Sequence, residues 1–295
     1  MRTFLSVAAI AAITSGCSST SGNTEASTVE QTPAPVSKVV LNSEVNWEEL
    51  NPARGDKSPK AGTLWGDRNG YAATGYLLNP VDGFLSPPHI HNINYRAIVI
   101  EGEFHNDDPN ADDMWMPAGS VWTQPKGEVH VTGARGEHPV AYIEIEQGPY
   151  LVLPSAKKDE YPSDDSPMNI DESNIVWVDA ADITWLEQSG VKDADSAPKV
   201  AFLWGDMTEG KINGTFIKLP AGFKGELRSE GTAIRAITVK GNTLHQAQGS
   251  DETKMLEPGS FFGSDGQSVH QLESSKDEES IIYIRTNGKY RVVPV

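Results

Sequence analysis

The strongest constraint on this chain is that it is written twice. Gly62-Thr63-Leu64-Trp65-Gly66-Asp67 returns 139 residues later as Ala201-Phe202-Leu203-Trp204-Gly205-Asp206. Gly75, Gly83-Phe84, Arg96-Ala97-Ile98 and Gly102 return at the same offset as Gly214, Gly222-Phe223, Arg235-Ala236-Ile237 and Gly241. One inserted residue then moves the offset to 140, pairing Gly119-Ser120 with Gly259-Ser260, Val129-His130 with Val269-His270, and Gly148 and Tyr150 with Gly288 and Tyr290. Trp47 aligns with Trp185 at offset 138, and His105 with His245 at 140. An ordered alignment of 38–154 on 175–294 requires two copies of one structural unit.

Each copy reads as strand. Ala97–Ile100, Val140–Ile145 and Ile281–Arg285 are apolar, β-branched runs, and Gly and Pro clusters interrupt the pattern at short intervals. The 27 Gly and 19 Pro of the chain suit many short strands joined by turns. Helical periodicity is confined to 43–50 and 179–188. The expected fold is therefore all-β, as two tandem sandwich or barrel domains at 38–154 and 174–295. The polar, acidic segment 155–173 reads as the linker between them.

Residues 1–16 read as an export signal: Arg2 is followed by an apolar run, Phe4 to Ile13, too short to span a bilayer. Small residues Ser15 and Gly16 stand before Cys17, the single cysteine of the chain. This resembles a bacterial lipoprotein signal, departing from it at Thr14, where Leu is commoner. The resemblance implies cleavage before Cys17, lipidation of its thiol, and placement in the cell envelope. Ser18 favours the outer membrane facing the periplasm. Segment 17–37, rich in Ser, Thr, Gly, Glu and Pro, is too polar to bury a core and reads as a disordered tether. One cysteine excludes an intrachain disulfide and a Cys-cluster metal site. A net charge of −17 argues against a nucleic-acid partner and against a basic membrane patch, so the membrane is reached through the lipid anchor only.

The first repeat concentrates histidine. His89 and His91 are two residues apart, so on a strand their rings share a face. The Pro125-Lys126-Gly127 turn delivers a third, His130. Three imidazoles converging inside a barrel suit one divalent transition metal.

The spacing of these residues resembles the cupin family. Its first motif is matched at Gly83, His89, His91 and Gly102, and its second at Gly119, Pro125, Gly127 and His130. Two positions depart: the usual Glu ligand is Tyr95, and the usual Asn is Ala134. The resemblance implies a jelly-roll β-barrel, and the repeat makes the chain a bicupin. A three-His site without the Glu is similar to the acetylacetone-cleaving dioxygenases and, in its ligand set, to cysteine dioxygenase, which implies Fe2+ with open positions. ChrR-like cupins imply Zn2+ and sensing, but they usually keep the carboxylate. The body as a whole also resembles a bacterial bicupin family of unknown function, DUF4437, related to the ChrR-like cupins. Tyr95 is either a hydrogen-bond donor beside the metal or a barrel-filling aromatic. Glu144 and Glu146 share a face with Tyr142 and read as a solvated face, with support of the metal site as the alternative.

In the second repeat Arg228, Glu230 and Ile234 stand where His89, His91 and Tyr95 stand in the first, and only His270 is kept. No metal is expected there. The alternatives are a structural domain or an anion site built from Arg228, Arg235 and His270. For function, three classes stay open: a metal-dependent dioxygenase on a small chelating substrate, a non-catalytic cupin binding or sensing Fe2+, Zn2+, Mn2+ or a small ligand, and an envelope scaffold. A cavity beside the histidines would favour the first two, and plugging by Trp115, Trp122 or Tyr142 the third. Cupins associate through sheet edges, which leaves a homodimer open. The second repeat could equally supply that contact within one chain.

Overall fold

The computed structural model describes residues 36–185, 197–231 and 233–295. The segments expected to form an export signal and most of a tether, with Cys17 between them, lie outside the described residues. The described chain is strand joined by turns and short 3-10 segments. The helical period at 43–50 is realised only as a 3-10 turn at Asn42–Glu44; that at 179–188 lies partly outside the described residues, and its described part holds a 3-10 turn at Ala180–Asp182. Just after the first of these turns, Trp47–Glu49 pairs with Lys60–Trp65. An amphipathic run of eight residues is too short to hold an isolated helix when a sheet edge is adjacent.

Two sheets repeat each other strand for strand. One runs Met168–Ile170, Val121–Gln124, Tyr95–Asp107, Val131–Ile145, Thr74–Asn79, Lys60–Trp65 and Trp47–Glu49. The other runs Ser37–Val40, Phe261–Asp265, Ala233–Lys240, Ser280–Thr286, Asn213–Leu219, Lys199–Gly205 and Val178–Asp179. In the first half the strands Tyr95–Asp107 and Val131–Ile145 carry on into the barrel's opposite wall. In the second half that wall is a separate sheet of Thr253–Leu256, Thr243–Ala247, Ser268–Ser274, Lys224–Ser229 and Tyr290–Pro294. Each half is a jelly-roll barrel, as its cupin motifs imply.

The outermost strand of each long sheet comes from the segment that leads into the other half. Ser37–Val40 pairs with Phe261–Asp265, and Met168–Ile170 pairs with Val121–Gln124. Segment 155–173 is therefore no free linker, because its end is a sheet strand of the first barrel. The same pairings correct the alignment upstream. Glu49 lies opposite Lys60 and Asp179 opposite Lys199, which makes Trp177, not Trp185, the counterpart of Trp47.

Apolar burial explains why the central strands read as unbroken hydrophobic runs. One cluster fills each barrel, and another lies between the sheets, joining Leu64, Trp65, Ile98 and Tyr142 of the first half to Phe216, Ile237, Phe261 and Tyr283 of the second. A strand buried on both faces has no solvent side to alternate with.

The residues most faithfully repeated in sequence sit at this seam. Trp65 Nε1 donates to Tyr142 Oη at 2.9 Å, and Trp204 Nε1 donates to Tyr283 Oη at 3.1 Å. Gly75 and Gly214 make room for these indoles: a Cβ there would lie 2.2 and 2.0 Å from Trp65 and Trp204 Nε1. Arg96 of the first half stacks on Trp204, 3.7 Å from the ring centre, and Arg235 of the second lies 5.8 Å from Trp65. Glu144, fully buried, accepts from both Tyr142 and Tyr283 and ion-pairs with Arg285 at 3.2 Å. It is a seam residue, not part of a solvated face. Arg285 and Arg96 also grip Glu146, at 2.7 and 2.8 Å. Among the described residues no helix is long and apolar enough to cross a membrane.

Candidate metal centre

His89 and His91 stand on the short strand His89–His91, and His130 faces them across a backbone bridge, His89 N to His130 O and His130 N to His89 O at 3.0 Å each. Pro87 and Pro88 precede this strand. Neither can donate to a ladder, so the strand bulges there by one residue before pairing resumes at His89. His91 and His130 are buried and His89 is partly exposed. Ring centres are 4.2 Å apart for His89 and His130, 5.0 Å for His89 and His91, and 5.2 Å for His91 and His130. One nitrogen from each lies within 4.8 Å of the others.

The tautomers are set by the backbone. Nδ1 of His89 meets Pro87 O at 2.9 Å, Nδ1 of His91 meets Leu151 O at 3.0 Å, and Nδ1 of His130 meets Glu128 O at 3.1 Å. A carbonyl only accepts, so each Nδ1 carries the proton and each Nε2 keeps its lone pair. Burial lowers the basicity of all three, His130 to about 3, and the neighbouring imidazoles lower His91 and His130 further. His130 Nε2 is buried with no hydrogen-bond partner. A buried acceptor left bare costs free energy unless something fills the place. Three neutral, oriented imidazoles with an orphaned ligand atom fit a divalent metal ion.

Tyr95, in the place of the usual carboxylate, turns its hydroxyl away from this task. It accepts from Trp122 Nε1 at 3.2 Å and donates to Asn106 Oδ1 at 3.0 Å, while Asn106 also bonds Gln124 and Thr132. Its ring packs edge-on to His91. Tyr150, which the sequence showed only as half of a repeated pair, is the aromatic that meets the site. It stacks on His91 with ring centres 4.4 Å apart, and its Oη donates to His91 Nε2 at 3.1 Å. Tyr76 is its alternative hydrogen-bond partner. Tyr150 lies in the connection between the strands Val131–Ile145 and Val152–Pro154, beyond both histidine motifs in sequence, and only the barrel brings it over them.

His89 and His91 line a cavity of about 440 Å³, walled by Tyr76, Phe84, Trp122, Ile143 and Tyr150 among others. Trp122 lines it without closing it, Trp115 packs beside His105 and Arg135, and Tyr142 points into the seam. His138 is exposed.

The residues proposed for an anion site in the second barrel do not converge. His270 lies opposite Leu227, whereas His130 lies opposite His89, so Leu227 and Ser229 take the inward places of His89 and His91. Arg228 points outward and pairs with Glu226 at 2.6 Å. Arg235 is held by Ile234 O, Ser264 O and Asp265. His270 is buried with both nitrogens in use, Nδ1 on His245 Nε2 at 2.9 Å and Nε2 near Ser264 and Ser268. An ungapped alignment puts Arg228 and Glu230 on the histidines because it cannot see the bulge, and one residue of slip exchanges the faces of a strand. The same register pairs Thr132 with Asn106 and Leu272 with His245, so Asn106, not His105, is the counterpart of His245.

The family described as a domain of unknown function, DUF4437, matches residues 38–293, the whole of both barrels. The chain belongs to the DUF4437 family. Solved structures share the double-barrel fold of this DUF4437 chain. A protein from Nostoc punctiforme described as a candidate dioxygenase aligns with TM-score 0.61 and 11% identity, over 87% of this chain and 84% of that one. A variant of oxalate decarboxylase from Bacillus subtilis aligns with TM-score 0.50 and 14% identity, over 90% and 80%. Vicilin from Corylus avellana aligns with TM-score 0.51 and 9% identity, over 87% of each. At such identities these likenesses establish the fold alone. Comparison with the curated proteins finds no match.

Proposed function

We propose that this DUF4437 protein is a lipid-anchored bicupin of the cell envelope whose first barrel holds one divalent metal on His89, His91 and His130 and acts as a dioxygenase on a small chelating substrate. The observation that carries the reading is the cavity of about 440 Å³ lined by His89 and His91 of the three-imidazole cluster, since a purely structural metal needs no such space. Three ligands from one side leave further positions for a substrate and O2, and the bound ion would supply charge stabilisation and, if it is iron, electrons. Fe2+ fits the dioxygenase reading. Zn2+ and Mn2+ persist better outside the cytoplasm, where an exported chain acquires its metal.

The chain's own part is positional. Backbone carbonyls fix the imidazole tautomers, and the aromatic wall excludes water from a bound ligand. Tyr150 Oη offers a proton-bearing hydroxyl beside His91 Nε2. One observation favours the alternative of a metal or ligand sensor: among the described residues no carboxylate or lysine lines the cavity, so turnover has no acid or base there beyond the site itself.

Metal content of the protein purified without oxygen or chelator tests the proposal, beside a His89→Ala, His91→Ala double variant. Near-stoichiometric iron, lost in the variant, with O2 uptake on β-dicarbonyls or small thiols, supports the dioxygenase. Bound zinc or manganese without O2 uptake supports the sensor, and absence of any metal overturns both.

A further inference from the structure

The wall of the first-barrel cavity is polarised in a way its metal ligands do not explain. Most hydroxyls on it are spoken for by the protein. Tyr95 is held by Asn106 and Trp122, Thr132 Oγ1 donates to Asn106, and Ser86 Oγ accepts from Thr132 N. The rest is largely apolar: Leu78, Phe84, Trp122 and Ile143 inside, with Leu50 and Val152 exposed at the mouth, 41% and 65% accessible. Set into that mouth is one charged side chain, Arg54, on the turn Pro52–Lys57. Its guanidinium lies over Phe84, 5.6 Å from the ring centre. Among the described residues no carboxylate pairs with Arg54, and no Asp or Glu lines the cavity, although the chain carries 41 acidic residues. An arginine stacked on an aromatic keeps its donor edge free and pre-oriented.

We propose that this cavity takes an apolar organic acid, an aromatic or branched carboxylate whose charge is met by Arg54 while its body lies against the aromatic wall. A guanidinium matches a carboxylate through two parallel hydrogen bonds. An apolar cavity with a few placed polar groups is the usual form of a small-molecule site. The inference deepens the reading of the cavity as a ligand site and is independent of which metal the histidines hold. Because the net charge of −17 repels anions at long range, selection of an acid has to come from this local contact.

The test compares a matched pair, 4-phenylbutyrate and 4-phenylbutanol, by calorimetry on the full chain, with zinc added and with zinc stripped by chelator. The acid is expected to bind about tenfold more tightly than the alcohol in both states, the preference shrinking with salt. Arg54→Gln is expected to erase the preference while the alcohol's affinity and the metal content stay unchanged. The retained alcohol binding also shows that the variant is folded. Equal binding of the pair, no binding of either, or a preference that survives Arg54→Gln overturns the proposal. So does a preference that disappears when zinc is stripped, since the metal would then be holding the carboxylate. Metal content is read separately, so a chain that holds no metal sinks the centre while the acid preference is still measured.

Discussion

The two barrels share strand order and a seam, yet one gathers three imidazole Nε2 lone pairs at one point and the other spends its histidines on hydrogen bonds to each other and to serines. In the first, backbone carbonyls occupy every Nδ1 and His130 Nε2 is left bare. In the second, Leu227 and Ser229 fill the places of two ligands, and His270 is satisfied by His245, Ser264 and Ser268. The lesson is that a buried histidine is a ligand or a structural element according to what its second nitrogen meets. Keeping the histidine is not enough to keep the site.

The comparison breaks most sharply at the ligands. His91→Ala is expected to lower metal affinity by more than about 100-fold, beyond the loss typical of an outer partner, while His270→Ala leaves it unchanged. Equilibrium metal titration reads both.

The register argument can be tested by gain. Leu227→His with Ser229→His, and Gln at His245 to release His270, is expected to raise metal stoichiometry from one to two per chain. Arg228→His with Glu230→His leaves it at one, because those side chains face outward. A second equivalent from the latter pair would restore the ungapped alignment.

The seam gives a stability effect common to both barrels. Glu144→Ala removes a fully buried carboxylate from between Arg285, Tyr142 and Tyr283 and is expected to cost about 3 kcal/mol in urea denaturation. Burial already raises the pKa of Glu144 against the opposing pull of Arg285, so its charge is held at a cost that only its partners offset.

The second barrel should also respond to acid. Burial lowers His245 to about 3 and His270 to about 4, from an ordinary 6.5. Between those values the unfolded chain binds more protons than the folded one, so the stability is present above 6.5 and is lost as pH falls toward 3 to 4. At pH 5 the loss is roughly 2 kcal/mol per imidazole, and His245→Asn with His270→Asn is expected to flatten the slope by that much. Denaturation midpoints across this window, with the first site held saturated with zinc, check it.

The smallest effect belongs to Tyr150. Tyr150→Phe keeps the stacking on His91 but removes the hydroxyl at its Nε2, and a change in metal affinity of no more than about tenfold is expected.

Much of this was legible in the chain. The repeat announced two equivalent units, and the apolar runs at 97–100, 140–143 and 281–284 announced doubly buried strands, because no charged residue interrupts them. His89, His91 and His130 could be picked out because a strand's two-residue period and a Pro-x-Gly turn carry direction as well as position. The anion site failed at Arg228 for the opposite reason. A bulge at Pro87–Pro88 adds a residue to the strand without leaving a mark in an ungapped alignment, and it reverses which residues face inward. Glu144 was misread because its alternation is that of a surface strand, and only the second sheet laid over it makes that face an interior.

The sequence by itself thus determined the repeat, the strands, and the types and spacing of the metal ligands, all of which are set by local covalent order. The tertiary structure alone decided which repeated residues form the seam, that Tyr150 arrives over His91, and that Arg54 stands over Phe84 at the mouth of an apolar cavity. These depend on register and on the meeting of segments far apart in the chain, and neither is encoded in any local window.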